Sequence, residues 1–265
     1  AQYPAMRNYT KGYLDLQAGL DTVEASDLKK HIAGLKQDQV RGFIENLSFF
    51  GNFTHGTHVA GIAAAGNPAA RLLAARITFD YRTIPDVPTR EQAVRDAEAA
   101  REVVKYFKAH GVRVVNMSWG GSPRDIEGAF EANGAGGTPE ERKKTAREYF
   151  AIARDALADA MKQAPEILFV VAAGNSNNDA EFDELIPSGI RLPNILTVGA
   201  VDQAGEETSF STFGANVAVH ANGFEVDSFV PGGERMKYTR SADGRNTLVD
   251  PKKSVALLRA WQQAN

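Results

Sequence analysis

A histidine at the start of a small, apolar run is the first candidate for chemistry. His55 begins the stretch His55-Gly56-Thr57-His58-Val59-Ala60-Gly61, which changes abruptly from polar to small side chains. Small side chains let a helix pass close to its neighbours, so we expect a buried helix that starts near His55 and holds the ring at the edge of a core. A free imidazole has a pKa near ~6.5, which makes His55 a candidate general base. A purely structural histidine is the alternative.

Two glycine-containing loops carry the other candidate groups. Ser118-Trp119-Gly120-Gly121 follows a strand predicted over 112–117, and Ala173-Gly174-Asn175 follows a strand predicted over 167–172. Functional loops gather where the carboxyl ends of parallel strands meet. We therefore expect both loops and His55 to contribute to one site. Ordinary turns are the structural alternative for each loop.

The elements that must position these loops alternate between helices and strands. Helical spacing of apolar residues covers 11–48, and a capping box at Thr89 starts a helix that ends at Gly111. Thr138-Pro139-Glu140-Glu141 starts another helix, which reaches about Gln163. Further strands are predicted over 71–78, 195–201 and 217–220, and a glycine-rich loop over 122–137.

This order of elements predicts the fold class. Strands that alternate with helices indicate an α/β fold of three layers, with a mostly parallel sheet and helices on both faces. Gly134-x-Gly136-Gly137 superficially resembles a phosphate-binding loop, but it does not follow a strand, so a dinucleotide site is disfavoured.

Composition argues against several classes of function. The 265 residues are 43% hydrophobic and 24% charged, as in a soluble globular protein, and the net charge of -3 gives no reason to expect nucleic acid or an anionic membrane. No apolar run approaches the ~20 residues that span a bilayer, and the sequence shows no signal peptide. With no cysteine, disulfides, thiolate catalysis and zinc–cysteine sites are excluded.

Motifs in sequence order resemble the subtilisin-like serine peptidases, the subtilases or peptidase family S8. They are His55 to Gly61, Asn116-Met117-Ser118-Trp119-Gly120-Gly121, Val171-Ala172-Ala173-Gly174-Asn175, and Leu192 to Ala200 followed by Ser209-Phe210-Ser211. The resemblance covers residues 50–233 and implies a subtilisin-like α/β fold. It also implies hydrolysis of peptide bonds by a Ser/His/Asp triad.

The resemblance implies a role for each matching residue. His55 would be the general base, and the Asn175 amide would donate to the developing oxyanion. Residues Ser118 to Gly121, with Ala173 and Gly174, would bind the backbone of a peptide or protein substrate. Trp119 either lines the pocket or packs beneath it. The habit of the family favours a secreted or periplasmic protein.

We expect no cofactor and no metal ligand. His55 and His58 have no evident third partner for a zinc ion. Calcium is a candidate because many relatives bind it and because Asp179-x-Glu181-x-Asp183-Glu184 offers carboxylates. A solvated acidic loop is the favoured alternative, since no calcium-loop spacing is matched.

Two parts of the family's machinery have no match in this sequence. The triad aspartate is normally followed by Ser or Thr and then Gly, and the early aspartates lack that context: Asp15, Asp21, Asp27 and Asp38. The Gly-Thr-Ser-Met-Ala-x-Pro segment that carries the nucleophile is absent after Gly233, and Ser241 lies in a turn-like context. We expect the chain as written to be inactive or nearly so.

The sequence predicts three regions and two functions. Residues 1–48 form a helical N-terminal extension, 49–239 an incomplete subtilisin-like domain, and 240–265 a tail with a helix after Pro251. Because the sheet needs a helix before this tail, we expect residues to be missing at Thr239–Arg240. A genuine deletion at this join is the alternative, and it would favour a pseudo-peptidase. The first function is a subtilisin-like serine endopeptidase. The alternative is an inactive pseudo-peptidase that binds extended peptides.

Overall fold

A computed structural model describes residues 3–17, 20–77, 79–181, 183–231 and 235–238. The helices are α1 (Tyr3–Gln17), α2 (Val23–Gly34), α3 (Gln37–Ala64), α4 (Arg90–Ala109), α5 (Pro123–Ala132) and α6 (Pro139–Lys162). The strands are β1 (Val114–Met117), β2 (Leu168–Ala172), β3 (Ile195–Val201), β4 (Val217–Asn222), β5 (Val226–Phe229) and β6 (Arg235–Tyr238). The Thr239–Arg240 join, Ser241 and the predicted C-terminal helix lie outside the described residues.

A parallel sheet forms the centre of the fold. Its strands lie in the order β1-β2-β3-β4, and each neighbouring pair is parallel. Met117 pairs with Val171, and β2 ends one residue later at Ala172, so β1 and β2 reach their carboxyl ends together while β3 continues to Val201. This sheet and its helices confirm the predicted α/β class. Strands β5 and β6 form a separate antiparallel pair.

The main core lies between the sheet and two helices. Phe107 of α4 and Phe150 of α6 belong to the same buried cluster as Phe169 and Val171 of β2. Side chains alternate across a strand, so the neighbouring Leu168 faces away and remains 38% exposed. The alternation fixes which face of β2 meets the helices.

The predicted helix starts at Thr89 and Thr138 are confirmed. Thr89 Oγ1 accepts a hydrogen bond from the Gln92 amide at 3.1 Å. Thr138 Oγ1 accepts from the Glu141 amide at 3.2 Å, while the Glu141 carboxylate accepts from the Thr138 amide at 2.8 Å. These side chains satisfy backbone groups that the first turn of a helix leaves without partners.

The prediction of a glycine-rich loop over 122–137 is wrong in its first part, because α5 occupies that position. Ser122 precedes Pro123, and Asp125 accepts a hydrogen bond from the Ser122 amide at 2.7 Å. This arrangement is the same start signal that identifies α6. Ile126 and the buried Phe130 then lie on one side of the helix.

The strand predicted over 71–78 is absent from the described residues 71–77, which have no regular structure. Leu72 is 57% exposed and Ile77 is 47% exposed. Apolar composition favoured a strand, but a strand requires a neighbour, and β1 pairs only with β2 among the described strands.

The helix expected to start near His55 starts instead at Gln37, and its burial differs from the prediction. The buried residues of α3 are Leu47, Thr54 and His58, at spacings of a helical stripe. His55 lies beside this stripe and is exposed, as are the small residues Ala63 and Ala65. Helix α3 packs against β5 and α1. The expectation that His55 sits at the start of a buried helix is therefore wrong.

Candidate functional site

The ends of β1 and β2 bring two predicted loops to one edge of the sheet. We call Ser118–Gly121 and Ala173–Asn175 the strand-end loops. They follow Met117 and Ala172 on neighbouring parallel strands. Asn116 Nδ2 donates to Ser118 Oγ at 2.9 Å, and the Ala173 amide donates to the Val198 carbonyl at 2.9 Å. The two loops thus follow neighbouring strand ends of the parallel sheet.

The loop after β1 is fixed by Ile186. The Gly121 amide donates to the Ile186 carbonyl at 3.0 Å, and the Ile186 amide donates back to the Gly121 carbonyl at 3.0 Å. A Cβ atom on Gly120 would lie 3.1 Å from the same Ile186 carbonyl, so the absence of a side chain permits this approach. Gly121 therefore serves the internal framework of the edge.

Trp119 packs against the protein interior. It is half-buried against the core cluster that contains Ile186, and its ring centroid lies 6.5 Å from that of Phe79. The sequence allowed Trp119 either to line the pocket or to pack beneath it. These contacts correspond to packing beneath it.

The loop after β2 is fixed by a buried residue that sequence reasoning missed. Thr212 is 0% exposed, its amide donates to the Gly174 carbonyl at 3.0 Å, and its Oγ1 accepts from the Ser176 amide at 3.2 Å. Asn175 lies between these two anchors and is exposed. The available signal was the adjacent motif Ser209-Phe210-Ser211, which marks the segment that returns to the β2 loop.

His55 is held by a different framework. Ser228 Oγ of β5 donates to the His58 carbonyl at 2.9 Å, which fixes α3 one turn beyond His55. A Cβ atom on Gly61 would lie 3.2 Å from the ring of Phe229, so β5 contacts the helix backbone closely. The helix that carries His55 is therefore held by β5, while Thr212 contacts the backbone on both sides of Asn175.

Residues 79–88, here called the bridging segment, contact both α3 and the loop after β1. Tyr81 packs edge-on against Phe49 of α3 with ring centroids 5.0 Å apart, and the Thr83 amide donates to Glu45 Oε1 at 3.1 Å. The same segment also contacts the β1 loop and α5. The Phe79 ring lies near that of Trp119, and the Pro85 carbonyl accepts a 2.9 Å hydrogen bond from the side chain of Asn133, which follows α5.

Three carboxylates of the acidic loop are paired with arginines. Asp183 pairs with Arg124 at 2.8 Å, Glu184 pairs with Arg147 at 2.9 Å, and Glu181 pairs with Arg191. Asp179 Oδ1 accepts from the Glu181 amide at 2.8 Å. Across the described part of the chain, no cluster of three or more His, Asp or Glu residues is placed to hold a metal ion.

Curated relatives of the chain are proteases. It is 29% identical over 219 residues to the thermostable alkaline protease of Halalkalibacterium halodurans, covering 81% of this chain and 49% of that protein. It is 30% identical over 186 residues to subtilisin-like protease 6 of Arthroderma benhamiae, covering 68% and 37%. The chain thus spans half or less of the length of these two relatives.

A further relative bears on the predicted compartment. The intracellular serine protease of Paenibacillus polymyxa is 27% identical over 272 residues, covering 100% of this chain and 72% of that protein. Because its name places that protein inside the cell, a secreted or periplasmic location for this chain stays a prediction. Among the described helices, none has the length and apolar character needed to cross a bilayer.

Solved structures and family models complete the comparison. The crystal structure of a cold adapted subtilisin-like serine proteinase matches with a TM-score of 0.38 and 21% identity, covering 64% of this chain and 49% of that one. The Peptidase_S8 model, described as the subtilase family, matches residues 42–254. With most of its length matched by this model, the chain belongs to the subtilase family.

Proposed function

We propose that the protein is a subtilisin-like serine endopeptidase whose substrate lies along the strand-end loops, and that the 265 residues lack its nucleophile segment and its triad aspartate. The observation that carries this proposal is the parallel register of β1 and β2, which sets Ser118–Gly121 beside Ala173–Asn175. An extended peptide gains main-chain hydrogen bonds at such an edge. Since Gly121 bonds with Ile186, residues Ser118–Gly120 are the part of the edge proposed to meet the substrate.

The proposed residues divide the chemistry of peptide-bond hydrolysis. A serine hydroxyl from the nucleophile segment, which the 265 residues lack, would attack the scissile carbonyl carbon while His55 takes its proton and later delivers it to the leaving amine. The carbonyl oxygen becomes negative, and the exposed Asn175 side chain would donate a hydrogen bond to it. In subtilisin, losing an amide donor of this kind costs about 10²–10³ in turnover.

A second candidate, the pseudo-peptidase that binds without cutting, is favoured by the sequence of the triad regions. The nucleophile motif occurs nowhere in the 265 residues. Asp15, the first aspartate, is buried and bound to Lys11 at 2.7 Å and to Thr22 at 2.6 Å, so it serves the α1–α2 contact. Substrate binding requires only the strand-end loops.

One experiment on the purified intact protein, with any residues that these 265 lack, separates the two candidates. A fluorophosphonate probe reports an activated serine, and anisotropy of fluorescein-labelled β-casein, an unfolded protein, reports peptide binding. The variant Gly121→Val adds a side chain at the edge where the nearest fold atom, Asp125 Oδ2, is 3.9 Å from the new Cβ. Gly128→Val is the matched control, because a Cβ there meets nothing within 4 Å.

If the protein is an endopeptidase, the probe should label it and it should cleave casein. If the protein is a pseudo-peptidase, the probe does not label it but casein binds. Gly121→Val should then weaken casein affinity roughly tenfold, and Gly128→Val should leave it within about twofold of wild type. Absence of labelling, cleavage and binding would reject both candidates.

A further inference from the structure

The backbone after β2 passes directly over the Thr212 side chain. Gly174 has a φ of 130°, a region that favours glycine. A Cβ atom on Gly174 would lie 2.7 Å from Thr212 Oγ1 and 3.1 Å from Thr212 Cβ. Glycine at 174 and a buried threonine at 212 are therefore matched to each other in shape.

Thr212 holds the chain on both sides of Asn175. Its amide donates to the Gly174 carbonyl at 3.0 Å, immediately before Asn175, and its Oγ1 accepts from the Ser176 amide at 3.2 Å, immediately after. The same hydroxyl donates to Asn178 Oδ1 at 2.9 Å. One hydroxyl thus acts as acceptor and donor at once, a combination that serine shares and valine lacks.

The segment that carries Thr212 is itself fixed to the sheet. We call residues 208–213 the strap. The Thr208 amide donates to the Ala200 carbonyl of β3 at 3.1 Å, and Ser211 Oγ accepts from the Ala200 amide at 3.0 Å. The Phe210 carbonyl of the strap accepts a hydrogen bond from the Asn177 amide at 3.1 Å. A continuous set of hydrogen bonds therefore runs from β3 through the strap to the loop that carries Asn175.

We infer that Thr212 is a positioning residue that sets the orientation of Asn175 and of the peptide-binding edge beside it. The inference rests on the proposed function of that edge. Thr212 is 0% exposed, so it acts on a bound peptide only through Gly174, Asn175 and Ser176. Removing its hydroxyl leaves the Ser176 amide and Asn178 Oδ1 without this partner, and the loop then samples other orientations.

The test compares Thr212→Val, which keeps the shape and removes the hydroxyl, with Thr212→Ser, which keeps the hydroxyl. Thr197→Val is the matched control, since Thr197 is a buried threonine of β3 that is 2% exposed and lies outside the strap. Two quantities are measured: amide hydrogen exchange at Ser176 and the Kd for fluorescein-labelled β-casein. The urea midpoint of each variant shows whether it is folded.

In Thr212→Val we expect Ser176 to exchange at least about tenfold faster and casein to bind roughly tenfold more weakly. Thr212→Ser and Thr197→Val should stay within about twofold of wild type in both measurements. If Thr212→Val does not fold, Asn178→Ala removes the acceptor of the hydroxyl and should speed Ser176 exchange about threefold.

Unchanged Ser176 exchange in folded Thr212→Val, or equal casein affinity despite faster exchange, would overturn the positioning role. If wild type does not bind casein, the proposed function fails, while the exchange measurement still decides whether Thr212 orders the loop. The two failures are thereby distinguished.

Discussion

At the scale of single residues, Asp80 shapes the bridging segment. Its carboxylate accepts from Arg82 Nε at 2.9 Å and Nη2 at 2.7 Å, and from the backbone amides of Arg82 at 3.0 Å and Asp86 at 3.2 Å. The Arg82 side-chain hydrogen bonds lower the pKa of the Asp80 carboxyl to about 2, and the two amides act in the same direction. The ionised carboxylate thus closes the turn that presents Tyr81 and Thr83 to α3.

This depressed pKa predicts how the contribution of Asp80 varies with pH. The ionic form stabilises the fold above the unfolded-state value near ~3.9, and this stability is lost as the pH falls through about 2. Asp80→Asn should lower the free energy of unfolding by less than about 1 kcal/mol near neutral pH, because the Asp80 side chain is partly exposed. Urea unfolding at a series of pH values measures the difference, which should shrink on acidification. A difference that grows in acid would contradict the assignment.

At the scale of elements, α3 and β5 form the contact that supports His55. A side chain on Gly61 would meet Ser228 Oγ and the Phe229 ring. Gly61→Leu should therefore cost roughly 1–3 kcal/mol of stability through overpacking. Ala63→Leu is the control on an exposed position of the same helix and should change stability by less than about 0.5 kcal/mol. Equal urea midpoints for the two variants would mean that β5 does not pack against this helix face.

Local signals predicted some elements and missed others for identifiable reasons. The Thr138 start signal predicted α6, and the equivalent Ser122-Pro123-Arg124-Asp125 signal for α5 was outweighed by the glycines that follow it. The stripe of Leu47, Thr54 and His58 shows that α3 continues through Gly51 and Gly56. The predicted helix start at His55 is based on the change from polar to small side chains, which does not mark a helix end here. Residues 71–77 required a neighbouring strand, which composition alone does not reveal.

At the level of the whole molecule, the parallel sheet and its helices form the α/β fold that positions the strand-end loops. Helices α4 and α6 contribute to the core on one side, while Val114 and Val219 on other strand positions are 57% and 45% exposed. The sequence predicted the parallel α/β class and the pairing of the two strand-end loops, since both follow from strand order. The role of Thr212 depends on a long-range return of the chain, which motif order does not specify.

If the strand-end loops bind extended peptide, hydrogen exchange of the intact chain with and without β-casein will show which amides the bound peptide covers. We predict that casein slows exchange at Ser118–Gly120 and at Asn175–Ser176, with little change at the amino ends of β1 and β2. The Gly121→Val variant should lose this protection, because the added side chain lies next to Ser118–Gly120, the part of the edge proposed to meet the peptide. Protection confined to α3 or to residues 71–77, with none at the strand-end loops, would contradict peptide binding at these loops.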